Sequence, residues 1–237
     1  MKKMVTVGIV AIMAALFAAT PALAFEGSAD AYIGVYNDYV FRGINFTSIN
    51  ADGEESDFVV QGGTDVSFGN FTVSTWFNAS EDMDVDEIDF VLDYSFDVND
   101  MVSMSVGNVF YNVDGAADTN EIYVGAGLAT ILEPSLTFYY DYDEYAGFWV
   151  VDASIGHSID LSDKVSASVG ALARYADDGE DYNCLHNYEL SAGVDFALIE
   201  GITLSGSALF SDAASDEAED AGIEDEAVIG LSITAAF

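Results

Sequence analysis

Beyond residue 24 the chain alternates. From Ala29 the odd positions Ala29, Ala31, Ile33, Val35, Tyr39 and Phe41 are apolar or aromatic, while the even positions hold Ser28, Asp30, Tyr32, Gly34, Tyr36, Asp38 and Arg42. A period of two sends successive side chains to opposite faces of an extended chain, so the segment predicts a β-strand with two unlike faces. Next, Phe58, Val60, Val66 and Phe68 share one face against Asp57, Gln61, Gly63, Asp65 and Ser67, and Gly69-Asn70 predicts a tight turn. The following strand sets Phe71, Val73, Thr75 and Phe77 against Thr72, Ser74, Trp76, Asn78 and Ser80. Its successor sets Ile88, Phe90, Leu92, Tyr94 and Phe96 against Glu87, Asp89, Asp93 and Ser95. The pattern recurs roughly over 101–111, 120–129, 135–142, 148–159, 165–175, 185–197, 202–211 and 224–237, giving about twelve strands.

The connections alternate as well. Long ones at 43–56, 81–86, 112–119, 143–147, 176–184 and 212–223 are interleaved with short ones at 69–70, 97–100, 130–134, 160–164 and 198–201. An even strand number with short turns at one end and longer loops at the other predicts an antiparallel up-and-down barrel of the outer-membrane type, both termini on the periplasmic, short-turn side.

Alternation alone also suits a soluble barrel or sandwich with its apolar face inside. The distribution of charge decides. The apolar face carries essentially no charge in the strand interiors, its polar members being Asn37, Thr64, Thr75 and Asn108. The opposite face carries Asp30, Asp38, Asp57, Asp65, Glu87, Asp89, Asp93, Glu121, Asp141, Asp152, Glu189, Asp195, Glu224 and Glu226. Charge on a lipid-facing wall costs about 2–4 kcal/mol near the midplane, whereas a water-filled lumen tolerates it. Tyr39, Tyr94, Tyr140, Tyr142, Trp149, Tyr175 and Tyr188 fall towards strand ends, as interfacial girdles do. Ile229, Leu231, Ile233 and Ala235 alternate up to a terminal Phe237, which resembles the aromatic signal read by the bacterial barrel-assembly machinery.

Composition fits this topology. The chain has 42 Asp+Glu against 5 Lys+Arg, a net charge of −37, yet is 51% hydrophobic. So much apolar and aromatic material excludes an unfolded acidic tail, and so few cations exclude nucleic-acid binding. Lys2 and Lys3, the apolar stretch from Val5 to Ala19 and Ala22-Leu23-Ala24 read as a secretory signal cleaved after Ala24, leaving residues 25–237 as one barrel domain. The single Cys184, read in an outer loop, makes no intramolecular disulfide.

Asp38-Tyr39-Val40-Phe41-Arg42-Gly43, Gln61-Gly62-Gly63 with Asp65, Trp76 and Glu87-Ile88-Asp89 together resemble the TorF-type porin family of Gram-negative bacteria. The resemblance spans most of the mature chain and is sharpest over its first part. It implies an outer-membrane barrel assigned to passive transport, with no substrate or catalytic residue to carry over. The scarcity of Lys and Arg departs from many porins, in which basic and acidic residues face each other across a constriction.

Candidate chemistry is sparse. His157 reads as facing lipid near the periplasmic end of the eighth predicted strand. His186 reads as starting the tenth, where Asp181 or Glu189 would let it imitate a rim hydrolase. Arg42 and Arg174 read as lumen residues at the outer strand ends, Asp38 lying on the same face as Arg42; they either attract an anionic group at the mouth or pair with neighbouring acids. Lys164 reads as a solvated turn charge. The loops carry Glu81-Asp82-Met83-Asp84, 177–181 and 216–220, all acid-rich, but no calcium-loop spacing, so loose Ca²⁺ or Mg²⁺ association beside lipopolysaccharide is expected and no cofactor or specific metal site.

The expected pore lining is therefore Asp30, Tyr32, Tyr36, Asp38, Arg42, Asp57, Asp65, Trp76, Glu87, Asp89, Asp93, Glu121, Tyr139, Asp141, Asp152, Arg174, Glu189 and Asp195, in a cation-preferring outer-membrane channel for small hydrophilic solutes. A twelve-stranded barrel is narrow, so Tyr32, Tyr36, Trp76 and Tyr139 are candidates to constrict it. A closed structural or adhesive barrel presenting acidic loops remains the alternative.

Overall fold

The structure, a computed structural model, describes residues 27–47, 57–80 and 85–237. The expected signal segment, the end of the first long loop and the Glu81-Asp82-Met83-Asp84 run lie outside the described residues. Twelve strands close into an antiparallel barrel: β1 (Ser28–Tyr36), β4 (Val59–Phe68), β5 (Phe71–Ala79), β6 (Val85–Asn99), β7 (Val102–Val113), β8 (Thr119–Leu128), β9 (Ser135–Asp141), β10 (Trp149–Ser162), β11 (Val165–Asp177), β12 (Asn183–Ile199), β13 (Ile202–Ala213) and β14 (Glu226–Ala236). Each pairs with its sequence neighbour, and β1 closes the ring against β14. A separate two-stranded hairpin, β2 (Val40–Phe41) and β3 (Ile44–Asn45), is inserted between β1 and β4. One short helix, α1 (Asp216–Asp220), stands in the connection before β14, where the sequence suggests only solvated acids; Ser215 caps it by accepting from the Ala218 amide.

Large apolar side chains on the outer face stay exposed within the isolated chain, among them Leu92, Leu136, Val169, Ile229 and Leu231. That is the converse of a soluble barrel, whose apolar face fills its interior. The polar residues of the apolar face satisfy one another: Thr64 and Thr75 hydroxyls lie 2.9 Å apart across β4 and β5, and Asn108 accepts from the Tyr142 hydroxyl at 2.6 Å.

The inner face is segregated. On β10 to β14 it carries small hydroxyls, including Ser154, Ser168, Ser191, Ser205, Ser207 and Ser232, in one continuous register. The wall from β1 to β9 carries the tyrosines and most of the acids. Tyr36, expected among the aromatics that constrict the lumen, and Tyr123 both lie close along the wall. Tyr36 lies over Gly230 and Tyr123 over Gly107, so close that a Cβ on either glycine would sit 2.1 Å or 2.4 Å from a ring atom. These glycines let the rings lie flat along the wall and leave the width of the barrel to another element.

Candidate functional site

That element is the β2–β3 hairpin. The alternation of 29–42 runs on past the true end of β1 at Tyr36, so the expected first strand is too long, and Arg42 does not sit at a strand end. Instead Arg42 and Gly43 form the hairpin turn with φ of 53° and 80°, the left-handed conformation that a type I′ two-residue hairpin takes at both central positions. The hairpin folds into the barrel and reaches its wall on several sides. Tyr39, expected in a lipid-facing girdle, is buried and packs on Trp76 of β5 at 5.2 Å between ring centroids. Phe41 meets Tyr111 of β7 at 5.9 Å, and Asn45 donates to Glu226 of β14 at 3.1 Å.

Two arginines anchor this region. Arg42 donates to both carboxylate oxygens of Glu121 on β8, at 2.6 and 2.7 Å, and its guanidinium lies 5.1 Å from the Tyr139 ring centroid. Glu121 is 3% exposed and accepts a third bond, from the Tyr111 hydroxyl at 2.9 Å. Arg174 on β11 donates to Asp152 at 2.7 and 2.8 Å, to Glu189 at 2.9 Å and to the Asn187 side-chain oxygen at 3.2 Å. Of the two readings of these arginines, pairing with acids is the geometry found. Asp38 is no part of it: it lies outside β1 and accepts from Asn37 at 2.5 Å.

His186 ties the hairpin to the opposite wall. The pairing of β11 with β12 shifts between Arg174↔Asn187 and Tyr175↔Leu185, leaving His186 as the extra residue of a β-bulge. A bulge re-aims side chains, and here His186 and Asn187 are both buried. The imidazole Nε2 donates to the Arg42 carbonyl at 2.9 Å, because that carbonyl can only accept; Nδ1 is then the acceptor for the Tyr182 hydroxyl. Burial holds the Tyr182 hydroxyl well above its ordinary pKa, so it stays a neutral donor. Neither Asp181 nor Glu189 partners His186, and the hydrolase-like arrangement the spacing suggests is not formed. Cys184 is likewise no loop residue: it is the second residue of β12 and is buried against Ala218 and Ile223. His157 does face outward near a short turn, its Nδ1 2.8 Å from the Ile131 carbonyl.

The register places Asp30, Tyr32, Tyr36, Asp65, Trp76, Glu87, Asp89, Asp93, Glu121, Tyr139, Asp141, Asp152, Arg174, Glu189 and Asp195 on the inner face. Asp57, exposed, precedes β4, and Glu224 precedes β14, so neither belongs to a strand register. Asp141 organises a loop: it accepts from the Thr119 hydroxyl at 2.6 Å and from the amides of Asp143 and Tyr145 at 2.9 and 3.2 Å. Asp93 accepts from Tyr123 at 2.6 Å and Ser95 at 2.5 Å. Tyr111 and Tyr123 also stand on the inner face, outside the expected lining, although their parity with Ser105 and Gly107, and with Glu121, marks them.

The hairpin separates two spaces. Towards the loops lies a cavity of about 680 Å³, lined by Tyr39, Phe41, Glu87, Tyr111, Tyr145 and Tyr182 among others. Towards the short turns lies one of about 530 Å³, lined by Asp38, Tyr39, Gln61, Trp76, Asp195 and the serine face. Holding the hairpin there depends on its turn: a Cβ on Gly43 would lie 3.1 Å from Ile223 and 3.2 Å from Asn187, besides needing φ +80. The G43V variant is therefore expected to cost roughly 1–3 kcal/mol locally and to free the turn. Trypsin digestion with mass spectrometry will read this as cleavage after Arg42 at least tenfold faster than in the parent; an unchanged rate would mean that the turn holds without glycine.

A closed twelve-stranded antiparallel barrel with an apolar outer wall, a polar lumen and a loop folded into its mouth defines a porin-like fold. Among solved structures the chain is similar to the NanC porin (10% identity, 87% of this chain and 98% of that one covered, TM-score 0.58). It is also similar to the KdgM porin (10%, 89% and 99%, TM-score 0.55) and to an outer membrane channel from Pseudomonas putida F1 (11%, 91% and 97%, TM-score 0.53). At these identities the likeness is one of fold. No protein-family model and no curated protein sequence matches the chain.

Proposed function

We propose that the protein is an outer-membrane channel for small hydrophilic solutes, preferring cations, with the β2–β3 hairpin as its constriction. The observation that carries the preference is the fate of the positive charges. Arg42 and Arg174 are consumed by Glu121, Asp152 and Glu189, and Lys164 is exposed in the turn between β10 and β11. Glu87, Asp89, Asp93 and Asp195 are left on the inner face without an arginine or lysine among the described residues, and Asp30 stands directly opposite Asp65 across β1 and β4. Like charges in register repel, and a lumen of one sign lined by low-dielectric wall concentrates counter-ions. The same field argues against an anionic solute such as the oligogalacturonate that the KdgM porin is described with.

On this reading Phe237, whose amide donates to the Ala29 carbonyl at 2.8 Å at the barrel seam, serves as the signal to the assembly machinery. The outer wall contacts lipid, and the acidic loops associate loosely with divalent cations beside lipopolysaccharide. Planar-bilayer recording under a KCl gradient tests the proposal. The reversal potential is expected at the sign for potassium preference, with a permeability ratio of about five or more over chloride. Chloride preference would overturn the selectivity, and a barrel that never conducts would favour the closed structural alternative.

A further inference from the structure

The wall formed by β5, β6 and β7 buries two carboxylates that no Lys or Arg among the described residues pairs with. Glu87 and Asp89 lie two residues apart on β6, so both point into the barrel, and they are 7% and 8% exposed. The ion pairs of Arg42 and Arg174 go to other acids. Asp89 Oδ1 has no hydrogen-bond partner among the described residues. A buried carboxylate oxygen with an unfilled lone pair is unfavourable unless a cation or proton completes it.

The surroundings narrow what completes it. Trp76 is the cross-strand neighbour of Asp89 from β5, and Tyr111 is its neighbour from β7. Tyr39 of the hairpin packs on Trp76, and its hydroxyl lies against Glu87. Among the described residues Glu87 and Asp89 supply two carboxylates here, and no three His, Cys, Asp or Glu come together as a metal cluster. Two carboxylates flanked by aromatic side chains match a primary ammonium group. Its N–H bonds have carboxylate acceptors, and its alkyl chain and charge have aromatic surfaces. Glu87 lines the outer cavity and is reached from the loop side; Asp89 lies two residues further along the same inward row, behind it.

We propose that Glu87 and Asp89, walled by Trp76, Tyr111 and Tyr39, form a binding station for a primary alkylammonium group, and that organic amines are the solutes this constriction selects. The station rests on the channel reading above and names its solute class. The test adds 1,4-diaminobutane to the loop side of channels carrying potassium current in planar bilayers. Millimolar diamine is expected to block with voltage dependence, 1-butanol is not, and the D89N and E87Q variants are each expected to raise the half-blocking concentration about tenfold.

Calorimetric titration of detergent-solubilised protein with the diamine supplies a readout that needs no conduction, and E87Q serves if D89N fails to fold. If the two carboxylates merely share a proton, both variants bind the diamine within about twofold of the parent, and the station is overturned. Potassium current indifferent to the diamine also disposes of the station while leaving the channel intact. Absence of any current removes the channel reading instead.

Discussion

Replacing residues 39–46 by a four-residue Gly-Ser link is expected to raise single-channel conductance roughly threefold or more if, as proposed, the hairpin rather than the barrel sets the narrowest section. The hairpin reaches β5, β7, β8, β12 and β14 through Trp76, Tyr111, Glu121, His186 and Glu226, so it spans the lumen rather than lying along one side. The inward tyrosines give up the space it fills by lying over glycines, as Tyr36 does over Gly230. Its removal deletes no strand-to-strand ladder of the barrel, since β2 pairs only with β3. The link must also leave the carboxylates of Glu121 and Glu226 to lumen water, which adds to cation preference rather than reducing it. Bilayer recording of parent and linked protein in the same lipid checks both effects. Equal conductance would place the limiting section elsewhere, among the loops or on the short-turn side.

The barrel was legible because its period is set by the pleat. Strand after strand, from Phe71 to Phe77 and from Ile88 to Phe96, shows its lipid face as an uncharged row, and the structure pairs those rows in register. The hairpin was not legible for the same reason. Tyr39 and Phe41 continue the odd-numbered apolar row of β1, so parity gives no sign that the chain leaves the wall at Asn37 and turns inward. What distinguishes them is a partner distant in sequence: Arg42 meets Glu121, 79 residues away, and His186, 144 residues away. The bulge at His186 hid itself similarly, because one extra residue inverts the parity on which the reading of faces depends. The apolar odd positions of the first segment thus serve two different environments, lipid up to Val35 and lumen aromatics from Tyr39 on.

Arg174→Ala is expected to give the largest loss of stability of any single substitution in this barrel, about 3 kcal/mol or more. Arg174 is 6% exposed and its guanidinium makes four hydrogen bonds, to Asp152, Glu189 and Asn187. Its removal leaves two carboxylates facing each other across β11 with side-chain exposures of only 14% and 18%, too little for water to replace the guanidinium in full. Asn187, fully buried, keeps its bonds to Glu189 at 3.1 Å and Ser211 at 2.9 Å, so the loss stays local to the charge and the fold is expected to survive. Urea unfolding in detergent, followed by the heat-dependent gel mobility of the barrel, measures the shift. If the charge explains the loss, combining R174A with D152N and E189Q will restore most of it, since removing all three partners leaves nothing ionised to desolvate. If the triple variant is no more stable than R174A, packing of the arginine stem is the cause and the pair of acids is sufficiently wetted by the lumen. In that case the same R174A channel will show a stronger potassium preference than the parent, because wetted carboxylates that no longer hold an arginine present their full charge to the permeating ion.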